Sequence, residues 1–154
     1  MKTAIFQIER APYRISTDPA LLNVSLIHRF LSEQSYWAKN ISFEVVERYL
    51  PHSLCFGVYK EAEQVGFARV ITDYGSFAYV GDVFILPHHR GHGLGKWLVA
   101  SMLKHPSLQN LRRWMLFTED AHGLYQQYGF EALPQPDRAM AKINFTEYPA
   151  KSPT

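Results

Sequence analysis

The run "HHRGHGLGKWL" at residues 88–98 gathers histidine, arginine and lysine around three glycines, directly ahead of a segment with helical spacing. A helix start carries a partial positive charge, so these cations have the wrong sign for the dipole unless an anion sits among them. With an anion in place, free backbone N–H groups act together with Arg90 and Lys96. Glycines at 91, 93 and 95 let the backbone turn and approach a phosphate without Cβ obstruction. The bland alternative is a strand-to-helix turn with a solvated basic rim. Spacing excludes two common phosphate sites. A P-loop would need glycine where Arg90 stands and a hydroxyl where Trp97 stands. The dinucleotide fingerprint, started at Gly91, would need glycine where Lys96 stands. His88, His89 and His92 lie in a glycine turn instead of on a helix face, so no metal site is expected. The lone Cys55 excludes an intramolecular disulfide and sits in the apolar run "SLCFGVY", where a buried, inert thiol is expected.

The elements that must hold this loop are legible around it. "FQIERAPYRIS" reads loosely as a strand. "TDPALLNVSLIHRFLSEQSYW" predicts one helix with Thr17 or Asp18 as N-cap and Pro19 in its first turn. Leu22, Leu26 and Phe30 recur at spacing four, with Ile27 and Leu31 beside them, so one face is apolar. A shorter helix is expected in "SFEVVERYL", capped by Ser42 and stopped by Pro51. "LCFGVYK", "QVGFARVITD" and "FAYVGDVFIL", joined by "EAE" and "YGS", predict an antiparallel meander. "GLGKWLVASMLKH" predicts a helix and "LRRWMLFT" a strand, which closes a crossover unit. A short helix around "DAHGLYQQY" ends at Gly129, and "RAMAKINF" reads as a last strand. The sum is a single α/β (α+β) domain over residues 1–154, a mixed, mostly antiparallel sheet flanked by helices, with residues 147–154 expected to fray.

One pattern does fit the loop: R-x-x-G-x-G, filled by Arg90, Gly93 and Gly95 after a strand ending in Ile85, Leu86 and Pro87. Downstream, "DAHGLYQQYGF" places Ala121, Leu124, Tyr125, Gly129 and Phe130 in an A-x-x-L-Y-x-x-x-G-F element. With both motifs in this order, the chain resembles the GNAT superfamily of acyl-CoA-dependent N-acyltransferases over roughly residues 5 to 145. The resemblance implies that Arg90, Gly91, His92, Gly93, Leu94 and Gly95 hold the pyrophosphate of coenzyme A, with Lys96 in the first helical turn. It implies that main-chain groups around Phe84, Ile85 and Leu86 bind the pantetheine arm like an added strand, and that Thr118 and Ala121 are further cofactor contacts. Thr118 departs from the family, where many relatives carry asparagine. Tyr125 matches the family tyrosine that protonates the departing sulfur, and acetyl-CoA is the implied donor.

Acyl transfer to an amine also needs the amine neutral. At a pKa near ~10.4, less than about one part in a thousand is neutral at pH 7, so a base, a water chain or a desolvating pocket must help. Asp82, on the strand entering the loop, could serve as base or could pair structurally with Arg69. Candidates for the acceptor pocket are Tyr36, Trp37, Arg69, Asp73 and Tyr74, since aromatic and acidic groups suit a cationic small amine or peptide amine. A noncatalytic acyl-CoA-binding module would use the same loop, and turnover separates the two. The net charge of +2 is too mild for nucleic acid as the default partner. No stretch approaches the ~20 apolar residues of a membrane span. A soluble, cytoplasmic protein is expected, and an exposed sheet edge could pair two copies as a homodimer.

Overall fold

The computed structural model describes residues 4–150. A hairpin opens the chain, β1 (Gln7–Arg10) and β2 (Tyr13–Ser16), so the single strand read from "FQIERAPYRIS" is two strands turning at Ala11 and Pro12. The helix read from Thr17 onward is also two pieces. Asp18 caps a short 3-10 turn, Pro19–Leu21, by accepting from the Ala20 N–H at 3.0 Å. The chain then extends through Leu22, and Asn23 caps α1 (Val24–Gln34) by accepting from the Leu26 N–H at 3.0 Å. The backbone N–H of Asn23 donates to Gln64 Oε1 at 2.7 Å, which fixes the break to the sheet. Two capping side chains five residues apart thus divide one apolar pattern between two helical starts.

The α2 helix (Phe43–Tyr49) begins at Ser42 as expected, and the meander follows as β3 (Leu54–Lys60), β4 (Glu63–Thr72) and β5 (Phe77–Ile85). Then come α3 (Leu94–Lys104), β6 (Arg113–Leu116) and α4 (His122–Gln126). The six strands lie in sequence order, antiparallel throughout except that β6 runs parallel to β5 across the α3 crossover. One face of the sheet packs on α3 through Phe56, Val58, Val80, Leu94, Leu98 and Met102. The other packs on α1 and α2 through Ile27, Phe30, Leu31, Val46, Phe67 and Phe84.

A single extra residue in β5 decides which side chains reach which face. Phe84 pairs with Phe67, but Gly81 pairs with Arg69, so β5 places one residue more than β4 in this stretch, and Asp82 adopts φ 53°. Side chains alternate along a strand, and a bulge shifts that alternation by one. Ala78 and Val80 therefore face α3, whereas Phe84 stacks on Phe30 of α1 with ring centroids 3.9 Å apart. Asp82 turns with Phe84 toward the α1/α2 side.

The last predicted strand does not form. Residues 139–145 have no ladder partner, and Met140, Ile143 and Phe145 are 96%, 67% and 62% exposed. Their alternating pattern has no strand against which to exchange hydrogen bonds. Beyond them the chain returns, and Tyr148 packs against the α1/α2 cluster, so this part of the tail is held where fraying was expected; residues 151–154 lie outside the described residues. No helix among the described residues is long and apolar enough to cross a membrane.

Candidate functional site

β5 and β6 pair only from Phe77↔Arg113 to Val80↔Leu116; beyond that point β5 continues to Ile85 with β4 as its one neighbour, and the sheet opens into a cleft. The glycine loop closes the far end of this cleft. Gly91 and Gly93 have φ of 84° and 74°, the left-handed region that disfavours other residues, and Gly93 is the N-cap of α3. Gly95 differs, because it lies in the first turn of α3 with no positive φ, and a Cβ built there meets nothing within 4 Å. Neither backbone conformation nor packing within the chain requires glycine at 95, and a Cβ there would face open space.

Around that space Arg90, His92 and Lys96 are exposed, and the one ion pair among the described residues is Arg69–Asp82, so none of them has a carboxylate partner. Arg90 Nε donates to the Ile85 carbonyl at 2.9 Å, tying the loop to the end of β5. Leu94 is buried in the core, which leaves its backbone as the part available to a ligand. Arg10, which carries no motif, joins the group from β1: its guanidinium lies 5.1 Å from the Trp97 ring centroid, and its Nη1 is 3.9 Å from where Gly93 would bear a Cβ. His89 Nδ1 lies 3.2 Å from the Tyr13 hydroxyl, a second link from the first hairpin to this loop. Among the described residues no group of three or more histidine, cysteine or carboxylate side chains could hold a metal.

The free edge of β5 is more selective than the sequence indicates. The Leu86 N–H donates to the Val65 carbonyl at 2.8 Å, so Leu86 faces β4, and alternation turns Phe84 the same way. Of the three residues expected to offer main-chain groups to a ligand, only Ile85 faces the cleft, and Val83, not foreseen, faces it too. The Phe84 side chain is core, stacked on Phe30.

Two cavities meet in the cleft. One, of about 490 Å³, runs along the loop and is lined by Ile85, Arg90, Gly91, Gly95, Ala121 and Leu124. The other, of about 540 Å³, is lined by Tyr49, Arg69, Asp82, Phe117, Thr118 and Glu119. Tyr36, Trp37, Val83 and Tyr125 border both. Tyr125 is 7% exposed, and burial, with Tyr36 and Asp120 nearby, pushes its hydroxyl up to about 12. That phenol keeps its proton throughout the neutral range.

Asp82 sits in the larger cavity with its carboxylate fully engaged. Trp37 Nε1, the Tyr49 hydroxyl and Arg69 Nε each donate to it at 2.8 Å. Arg69 lies 3.7 Å from the Tyr49 ring centroid, and its Nη1 donates to Ser53 Oγ at 3.3 Å. Burial and the Asp82 charge hold the Tyr49 hydroxyl far above the ordinary phenol range, so Tyr49 remains a donor. The structural alternative for Asp82, pairing with Arg69, is thus realised. Across the cleft, the Tyr36 hydroxyl accepts from the Glu119 N–H at 3.0 Å, and Thr118 Oγ1 accepts from the Ala121 N–H at 3.0 Å at the entry to α4.

Asp73 and Tyr74 line neither cavity. Asp73 organises the β4–β5 turn, accepting from the N–H groups of Gly75, Ser76 and Phe77 at 2.8 to 3.0 Å, and these bonds with Ser76 Oγ hold its carboxyl well below the usual range. Tyr74 packs at the edge of the α3 core. Cys55 is buried, with its thiol pushed up to about 12 by desolvation, so it is no nucleophile. Arg10, Tyr49, Val83, Glu119 and Tyr148 reach the site without any sequence motif. Val83 gave no signal either, because its place beside the bulge follows from the pairing of β5 with β4.

Residues 51–132 match a family described as acetyltransferase (GNAT) domain. A protein of Gibberella zeae named as a candidate acetyltransferase is 38% identical, with 75% of this chain and 77% of that protein covered. A crystal structure of a candidate acetyltransferase of the GNAT family from Xanthomonas campestris pv. campestris is 51% identical, with TM-score 0.83 over 85% of this chain and 92% of that one. A candidate acetyltransferase from Clostridium acetobutylicum, solved with acetyl-CoA, shares the fold at TM-score 0.63 and 16% identity over 90% and 96% of the two chains.

Proposed function

Because the chain belongs to the GNAT family of N-acetyltransferases, we propose that it moves the acetyl group of acetyl-CoA directly to a primary amine, with Tyr125 as the proton donor to the departing sulfur. The observation that carries this reading is the position of Tyr125, protonated at neutral pH, where the two cavities meet. In this reading the 490 Å³ cavity takes the donor and the 540 Å³ cavity takes the amine. Loop amides from Gly91 to Gly95, with Arg90, Lys96 and Arg10, neutralise the donor's phosphates. Val83 and Ile85 offer their main-chain groups to its pantetheine arm, as a neighbouring strand would. A backbone N–H of the same edge faces the carbonyl oxygen as negative charge builds on it.

The amine nitrogen forms its bond to the acetyl carbon as the carbon–sulfur bond breaks. The ammonium first loses a proton to water to become the neutral nucleophile; Tyr125 then gives its proton to sulfur, the acylated nitrogen releases its extra proton to water, and the Tyr125 phenolate takes a proton back from water. Asp82 accepts three hydrogen bonds and holds Trp37, Tyr49 and Arg69 in place, which suits a positioning residue better than a base. Glu119, at the mouth of the larger cavity, favours an ammonium on arrival, and the rings of Tyr36, Trp37 and Tyr49 favour its desolvation.

The test is release of free coenzyme A from acetyl-CoA across a panel of amines, with Tyr125→Phe beside the parent. We expect kcat to fall about 100-fold in the variant while KM for acetyl-CoA changes less than about twofold, the split for a group acting only in the transition state. Equal kcat in the two proteins would remove Tyr125 from the chemistry.

A further inference from the structure

A third cavity, of about 220 Å³, adjoins the proposed amine site and has no part in the reaction just described. It shares Tyr36, Trp37, Thr146 and Tyr148 with the larger cavity, so the two lie side by side with the rings of Trp37 and Tyr148 at their common border. Its remaining walls are Lys39, Asn40 and Glu147. Lys39 and Glu147 form no ion pair with each other, so both charges remain available.

Three of the seven residues that line the third cavity, Thr146, Glu147 and Tyr148, belong to the C-terminal tail. Residues 131–147 are exposed, and residues 139–145 have no ladder partner, whereas Tyr148 is half-buried against the α1/α2 cluster. Its ring lies 5.3 Å from that of Phe145, and it is close enough to Tyr49 to influence that hydroxyl. The tail is a strap anchored by one ring, and that ring forms a wall of the site.

We propose that the tail completes the acceptor site, with Tyr148 selecting acceptors by length and the third cavity receiving their far end. The proposal rests on the reading of the larger cavity as the amine site. Near Tyr125 the walls are aromatic, and the Arg69 and Asp82 charges cancel each other; they suit the apolar stem of an amine. The outer chamber offers an ammonium, a carboxylate, an amide and a hydroxyl; these suit a chain with regularly placed donors and acceptors. A peptide amine has both parts, and a compact alkylamine has only the first.

The experiment measures binding separately from turnover. Propylamine, alaninamide and the tri- and pentapeptide amides of alanine are titrated by calorimetry into the protein saturated with coenzyme A, and acetylation of the same amines is followed in parallel. The proteins are the parent, Tyr148→Phe, Tyr148→Ala and Tyr148→Leu, the last keeping an apolar anchor should the alanine variant fail to fold. The parent should bind the peptides at least about 10-fold more tightly than propylamine. Tyr148→Ala or Tyr148→Leu should lose about 10-fold on the peptides and less than about twofold on propylamine, and Tyr148→Phe should match the parent. Equal losses on short and long amines, no loss on either, or no preference for length in the parent would overturn the proposal. The full binding pattern without acetylation would uphold the length-selecting site and overturn the transfer chemistry. Acetylation of all amines with no effect of Tyr148 would do the reverse, and a parent that neither binds nor acetylates any amine would overturn both.

Discussion

Tyr125 has two properties that a proton donor needs: an address at the meeting of two cavities and a proton held to about pH 12. Its raised pKa favours the folded protein below the ordinary phenol value, and this contribution fades as pH rises from about 10 through 12. The rate should therefore climb with pH as the amine deprotonates and show no downturn from Tyr125 below about pH 11, which a pH profile of kcat/KM checks. Asp82 makes the opposite prediction. Asp82→Asn leaves Arg69 half-buried without its counter-charge, at a cost of about 3 kcal/mol. The melting temperature should drop by roughly 6 to 12 °C, while the pH profile keeps its shape. A lost acid limb in this variant would identify Asp82 as the base. Tyr125, Arg90 and the glycines were legible in the sequence because local motifs carry them. Arg10 and Tyr148 were not, because each reaches the site from a distant part of the chain.

At the scale of elements, α3 carries two features whose effects can be separated. Gly95→Ala adds a methyl that meets no atom of the chain and removes a residue that weakens helices by about 0.5–1 kcal/mol. The unliganded variant should melt roughly 1 to 4 °C higher yet bind acetyl-CoA at least about 10-fold more weakly. Unchanged affinity would mean that no ligand occupies the space above Gly95. At the other end of α3, His105 is buried between Phe6 and Phe56, its Nδ1 accepts from the Ser107 N–H at 3.0 Å, and its Nε2 has no partner. Burial lowers its pKa, so the unfolded chain takes up the proton first, and stability falls as pH drops below about 6.5. Denaturant titrations at pH 7.5 and 5.5 should show that loss shrinking in His105→Asn. The long strands and α3 were legible because periodicity carries over their whole length. The bulge at Asp82 was not, since "FAYVGDVFIL" is an almost unbroken apolar run with no alternation to mark a shift of face, and only the pairing with β4 reveals the extra residue. The strand expected in "RAMAKINF" failed for a related reason, because a pattern shows that a segment could pair but not whether a partner lies beside it.

For the whole molecule, the order of elements was correct from the meander to α4, and that order sets the parallel β5–α3–β6 crossover whose opening makes the cleft. A domain built this way should respond as one unit to a ligand that fills the cleft. At a hundredfold excess over its dissociation constant, acetyl-CoA should add ~2.7 kcal/mol of stability. Thermal unfolding with and without acetyl-CoA, with Gly95→Asp beside the parent, is the most direct test. An acidic residue in the first turn of α3 suits the helix dipole, so this variant should fold while opposing a phosphate. The parent should melt roughly 5 to 11 °C higher with acetyl-CoA and the variant should not. A parent that does not respond to millimolar acetyl-CoA, or a variant that responds equally, would contradict a donor site in this loop.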